Sequence, residues 1–323
     1  MIQTKSPFSG MTEAQKVHFF LENNFTPRFS LKQKLYYKFL RKVIPISVRQ
    51  KIQERVYASI IYDQNFRDPE LLDILKATPE FQHELSSLYP EGIHSPVILT
   101  HDVEEAEGLA FIPEVIALEQ ELGFKSSWNI VPYKYPVDEG ILRIIREAGM
   151  EIGVHGFNHD GKLYYSEKVF QDRVPYINQA IKKFGAVGFR SPMVHRNLTW
   201  LQRLDIEYDA SCFDYDPFQP FPGGTKSIWP FIAGKFVELP YTVAQDHTLF
   251  YSLKRKDISL WTNKTGWLYE NRGLICVLTH PDYLVPKDHL AMYRDYLLYL
   301  KSLSGLWNPL PMEFSAFWKK KFM

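Results

Sequence analysis

Two short stretches concentrate side chains able to do chemistry. Residues 99–104 read LTHDVE and residues 151–161 read EIGVHGFNHDG. The first carries His101, Asp102 and Glu104, the second His155, His159 and Asp160, each group closing an apolar, strand-like run. Two neutral imidazoles plus one carboxylate form a three-ligand set for a catalytic divalent metal, with a position left open for water. His155 and His159 lie across a strand end and a turn, so the loop must curl back to converge them. Gly153, Gly156 and Gly161 supply the freedom for that curl. An H-x3-H pair alone arises often by chance. A carboxylate-rich strand end upstream and a later histidine, His280 in VLTH, make it informative. In an extended chain residues 102 and 104 point one way and residue 103 the other, so Asp102 and Glu104 can face one pocket.

The elements that must position these residues are legible from about residue 95 onward. The runs 96–103, 126–131, 151–155, 186–190, 206–211, 235–241 and 274–280 read as strands. Helical patterns lie between them: Ile112, Val115, Leu118 and Leu122 after the first strand, and GILRIIREAG at 140–149 after the second. A longer stripe of Phe170, Val174, Ile177, Ile181 and Phe184 follows, with a disturbance expected at Pro175. A last strong helix carries Leu290, Tyr293, Leu297 and Leu300. Alternating strands and helices predict a parallel β/α architecture, and seven such units suit a barrel. Asp102, His155, Arg190, Asp209 and His280 all fall at C-terminal strand ends, the face where barrels assemble active sites. Any one of them alone reads more simply as a helix cap or a solvated loop residue. Five in register reverse that balance.

Composition sets the frame. The chain has 323 residues, 45% hydrophobic and 23% charged with a net charge of +1, which gives a large core and no global attraction to nucleic acid. Cys212 and Cys276 sit in apolar runs and read as reduced core thiols. Neither a secretory signal nor an apolar run of roughly 20 residues is visible, so a cytoplasmic location is expected. Residues 1–90 differ from the rest: they look helical and lack the alternation. Within 31–56, eight basic residues stand against Glu54 alone, interleaved with Leu35, Leu40, Tyr36, Tyr37 and Phe39. Such a segment suits peripheral contact with a membrane, and FWKKKFM at the end of the sequence has the same flavour. The preferred expectation is plainer, a helical arm on the barrel with a solvated basic face.

The set LTHDVE, HGFNH, GFRSP, YDASCFDYD and VLTHPDY resembles the polysaccharide deacetylase family, carbohydrate esterase family 4, across residues 95–281. The resemblance implies a distorted (β/α)7 barrel over 91–323, with residues 1–90 as a helical, basic extension outside it. It also implies a divalent metal, most often Zn2+, used to hydrolyse N-acetyl groups on sugars. Asp102 would be the general base, His155 and His159 metal ligands, and Arg190 the group that orients the base. Met193 would offer a backbone N–H to the oxyanion, and His280 would protonate the leaving amine. Asp209 and Asp214 would wall the pocket and tune that acid. The family's second aspartate, a metal ligand, aligns with Val103, which cannot ligate. Glu104 is assigned as the third ligand in its place; the rivals are Asp102 itself, His101, or a site with altered or no metal.

Asp246 and His247, just past FVELPY, are in the right region to line the pocket or to cap a helix at Thr248, two readings of equal standing. The loop YDPFQPFPGG at 215–224 places aromatics over the barrel mouth, where they could stack on a sugar ring or pack beneath the loop. The leading expectation is a metal-dependent deacetylase acting on a sugar of a glycan or glycan precursor, with a lipid-linked sugar among the candidates and no nucleic-acid partner. The alternatives are a deformylase or other amide hydrolase of the same fold, and an inactive barrel that binds a glycan or a partner.

Overall fold

A computed structural model describes residues 4–5, 30–45, 48–49, 51–52, 55, 76–216, 218–219, 224–225 and 227–323. The remainder of the predicted extension, including part of 31–56, lies outside the described residues. The strands are β1 (Thr4–Lys5), β2 (Ser95–Val103), β3 (Ser126–Ile130), β4 (Glu151–His155), β5 (Gly188–Arg190), β6 (Tyr208–Asp209), β7 (Phe231–Ala233), β8 (Phe236–Glu238), β9 (Ile275–Thr279) and β10 (Leu306–Trp307). Seven of them run parallel in the order β9-β2-β3-β4-β5-β6-β8. These are the seven strand-like runs of the sequence, curled into a distorted β/α barrel. The gap between β8 and β9 is spanned by the chain leaving β8: Thr242 and Val243 N–H donate to the Cys276 carbonyl, at 3.0 and 3.2 Å.

β2 is central, and all nine of its residues are buried because barrel interior and helices cover both faces. Against it pack α3 (Ala106–Leu122) and α8 (Pro281–Leu284); α1 (Leu31–Leu35) and α2 (Pro79–Ser86) precede α3, and α4 (Glu139–Glu147), α5 (Glu167–Phe184), α6 (Leu198–Leu201) and α7 (Ser259–Glu270) lie between α3 and α8. α5 runs through Pro175, so the proline does not end the helix. Pro175 lies on the exposed face, where the carbonyl that loses its partner can turn to water.

The strong helix predicted near the end is α9 (Lys287–Ser302), but it is not the last: α10 (Pro311–Phe322) follows. Phe314 and Trp318 of α10 are buried in the core, Lys319 pairs with Glu207, and the Lys321 ammonium donates to the Ser87 carbonyl. The C-terminal aromatics Phe314 and Trp318 thus pack the barrel wall. Cys212 and Cys276 are both free and buried.

The described part of the N-terminal region meets the barrel at its mouth. α1 begins at a Ser30–Gln33 capping box and continues through a π-helical turn (Tyr36–Leu40) into Arg41–Val43. Tyr37 is its buried anchor. The ring packs edge-on to His195 with centroids 5.4 Å apart, and the hydroxyl lies 3.3 Å from His195 Nε2. It covers Gly161, where a Cβ would stand 2.5 Å from the ring. Later residues of the 1–90 region also reach the core, for α2 buries Phe81 and Leu85.

Candidate active site

Register carries the polar groups to one end of the barrel. Asp102 pairs with Asn129 across β2 and β3, Asn129 with Gly153 across β3 and β4, and His155 with Arg190 across β4 and β5. Gly153 is required for space: a Cβ there would sit 2.1 Å from Asn129 Oδ1. Gly156, at φ 66°, turns the chain after β4, and His159 itself takes a left-handed φ of 56°. That curl brings His159 back beside His155, ring centroids 5.2 Å apart.

Donor atoms of Glu104, His155 and His159 all lie within 4.8 Å of one another. The residues fit a divalent ion on two observations. His155 Nδ1 lies 3.1 Å from the Arg190 carbonyl, which can only accept, so Nδ1 carries the proton and Nε2 keeps its lone pair. His155 Nε2 is buried with no hydrogen-bond partner, and His159 Nε2 faces the Glu104 carboxylate at 2.9 Å. Burial pushes His155 down to about 4, so it is neutral, as a ligand must be. Burial works against charge on Glu104, but the surrounding imidazoles, His159 foremost at 2.9 Å, hold its carboxyl well below the usual range.

His101 points the other way along β2. It stacks on Trp128 and is held by Glu119 and Thr279, both at 2.8 Å, which removes it as a substitute ligand. Val103 is fully buried beside it. Asp102 lies deeper than Glu104. Its Oδ1 accepts from Asn129 Nδ2 at 2.9 Å, and its Oδ2 is 3.7 Å from His155 Nε2. Arg190 stands 3.7 Å from Asp102 and donates to Thr100 Oγ1 at 2.9 Å, so the nearest orienting hydrogen bond to Asp102 is Asn129's. Asn129 was not singled out in the sequence, although a polar residue in the apolar strand SSWNIV was the available signal.

His280 caps β9 with its Nδ1 2.7 Å from Asp246 Oδ1. Asp246 is fully buried and also accepts from the backbone N–H of His280 (2.6 Å) and His247 (2.7 Å). Burial alone would depress His280, but the Asp246 carboxylate dominates and pushes it up to about 10. His280 Nε2 faces Glu104 at 3.8 Å. His247 lines the cavity and makes no side-chain cap on the helical turn at Thr248, whereas Asp246 lies behind the wall and grips His280. Another unforeseen group is Asp282, which accepts from the backbone N–H of Glu104 (3.1 Å) and Gly108 (2.9 Å) and so fixes the turn that presents Glu104.

Met193, at φ 57°, and Val194, at φ 46°, form a strained left-handed turn after Pro192, and Met193 lines the cavity. Two expectations are corrected. Asp214 is buried in an ion pair with Lys264 at 2.5 Å, and Asp209 sits inside the barrel wall on Ser211 (2.7 Å) beside Glu238. Neither lines the cavity, because both are buried against other partners, and the carboxylate that does most to raise His280 is Asp246. Asp160 pairs with Arg173 at 2.7 Å, outside the donor cluster. Of the 215–224 loop, Phe218 and Gln219 reach the cavity.

The cavity above the cluster is about 330 Å³ and is walled by Glu104, His159, Met193, His247, His280 and Tyr283, with Tyr36, Tyr37 and Arg41 from the N-terminal helical segment.

Among solved structures, a protein from Mycobacterium smegmatis described as a polysaccharide deacetylase superposes with a TM-score of 0.61 at 17% identity, covering 73% of this chain and 94% of that one. The chain has the polysaccharide deacetylase fold. A Pseudomonas aeruginosa protein also described as a polysaccharide deacetylase gives 0.54 at 12% identity, covering 72% and 93%. The Puue allantoinase gives 0.54 at 14% identity, covering 72% and 92%. One fold thus carries differently named activities, and the substrate must be argued from the site. No protein-family model and no curated protein matches the sequence.

Proposed function

We propose that this protein is a metal-dependent deacetylase that hydrolyses an N-acetyl amide on a sugar of a glycan or glycan precursor. The supporting observation is the convergence at one cavity of three metal-type donors, Glu104, His155 and His159, with a histidine held protonated by a buried carboxylate. Zn2+ is the ion best suited to two imidazoles and one carboxylate. Such an ion lowers the pKa of a coordinated water towards about 7 and polarises an amide carbonyl.

The chain's own groups do the rest. Asp102, held by Asn129 and Arg190, takes a proton from the attacking water. The left-handed turn at Met193 lies on the cavity wall, where a backbone N–H suits the developing oxyanion. His280 donates its Nε2 proton to the amide nitrogen as the C–N bond breaks, because an amine anion is a very poor leaving group. Acetate and a free amino sugar result. Protein purified without chelator is expected to carry a divalent ion and to release acetate from N-acetylated sugars. A chain that neither holds such an ion nor releases acetate overturns the reading.

Peripheral membrane contact through 31–56 belongs to the same proposal. Leu31, Leu35, Phe39 and Val43, spaced four apart, are 76, 47, 55 and 74% exposed, and lysines 32, 34 and 38 flank them. This pattern suits an anionic bilayer surface. No helix of the described residues is long and apolar enough to cross a membrane. Full-length protein should co-float with anionic but not neutral vesicles, and a Phe39→Glu/Val43→Glu variant should not; equal flotation of both proteins removes the membrane contact.

A further inference from the structure

Two arginines on the cavity wall have no anionic partner among the described residues. Arg41 stands over the Tyr37 ring at 5.8 Å, and its Nη1 reaches Met193 Sδ at 3.7 Å, a weak acceptor. Arg49 also lines the cavity, and its Nε is buried with no hydrogen-bond partner. The carboxylates on the same wall are already engaged: Glu105 pairs with Lys134, and Glu104 faces His159 and His280. Two half-buried guanidinium groups beside a cavity therefore carry uncompensated charge, a costly arrangement unless an anion completes it.

We propose that Arg41 and Arg49 form a phosphoryl-binding subsite beside the candidate metal centre, so that the N-acetyl sugar arrives as a phosphate or diphosphate conjugate. The inference rests on the proposed deacetylase reading and narrows its substrate. The chemistry favours phosphoryl over carboxylate. A guanidinium fork satisfies a carboxylate by itself, whereas two of them match the charge and the several oxygens of a phosphomonoester or a diphosphate diester. Because both arginines come from the N-terminal segment, this region would select the substrate as well as cover the mouth. A nucleotide-diphosphate sugar and a lipid-diphosphate sugar share this chemistry.

The first measurement is calorimetric titration of inorganic pyrophosphate into chelator-treated full-length protein, so that binding reports the arginines rather than a metal. Binding should weaken about tenfold or more in Arg41→Gln and in Arg49→Gln, near 1.4 kcal/mol each, and recover in part in the Lys variants, with unfolding midpoints unchanged. Equal binding by all variants, or tighter binding of a sugar uronate than of pyrophosphate, overturns the subsite. This arm does not depend on deacetylation, so its outcome is separate from that of the proposed function.

The second measurement compares acetate release from a free N-acetylhexosamine, its 1-phosphate, a nucleotide-diphosphate conjugate and an isoprenoid-diphosphate conjugate. Phosphorylated substrates should have the higher kcat/KM, and Arg41→Gln should remove that advantage. The better of the two diphosphate conjugates identifies the source. Equal kcat/KM for free and phosphorylated sugars refutes the proposal.

Discussion

Replacing Asp246 by asparagine isolates the group that makes His280 an acid. The side chain is isosteric and fully buried, so its volume is retained while the charge and one of two buried acceptor atoms are lost. With Asp246 ionised, His280 rises from 6.5 to about 10, worth about 5 kcal/mol of preference for the imidazolium. Burial acts in the opposite direction, and only the more distant Glu104 and Asp102 remain to oppose it, so without Asp246 His280 should titrate below its native value. The imidazolium of the native protein persists through neutrality and is lost as pH rises through about 10; that of the variant is lost at lower pH. The alkaline limb of activity should therefore move down in pH. Turnover at pH 8 should fall by about 10²–10⁴, the usual contribution of a positioned general acid. The assay is initial-rate acetate release between pH 5 and 10, with bound metal measured in parallel. Undiminished turnover at pH 8 with an unmoved alkaline limb would refute the assignment of His280 as the acid and Asp246 as its partner.

Glu104→Gln should abolish stable metal binding, read by elemental analysis, whereas Asp102→Asn should keep the ion and lose about 10²-fold or more in turnover; the reverse pattern exchanges their roles. Glu151 tests the barrel itself. Burial pushes its carboxyl from 4.5 up to about 7, so the native state loses about 3 kcal/mol of stability as pH rises from below 4.5 through 7. Glu151→Gln should flatten that slope in urea melts at pH 4.5 and 8, and an unchanged slope would assign the pH dependence elsewhere. Lys264→Met leaves the Asp214 carboxylate buried and alone, and should cost about 3–5 kcal/mol in the same melts.

The seven barrel strands were legible because each is a short apolar run ending in polar residues, and parallel strands buried on both faces need such runs. β1, β7 and β10 are two or three residues long and carry no periodicity. α7 was hidden by its composition: SLWTNKTGWLYE looks polar, yet Lys264 and Thr265 are buried because Asp214 and Tyr296 wait for them across the core. The aromatics of α10 carried no clear core signal for a related reason, yet Phe314 and Trp318 are buried.

The sequence by itself determined which atoms are available: two imidazoles on a curled loop, carboxylates two residues apart on one strand end, and a histidine at another. Alternation along β2 was enough to direct Asp102 and Glu104 away from Val103. Tertiary structure decided the partnerships, because these cross between strands far apart in the chain. It gave Asp102 to Asn129, His280 to Asp246 and the Glu104 turn to Asp282, and it withdrew His101, Asp209 and Asp214 into the interior. It also set Arg41 and Arg49 on the cavity wall, where a basic run in the sequence could equally have been a solvated face. Charge and spacing are written locally, whereas desolvation, which determines what each charge is worth, depends on what the folded chain lays over it.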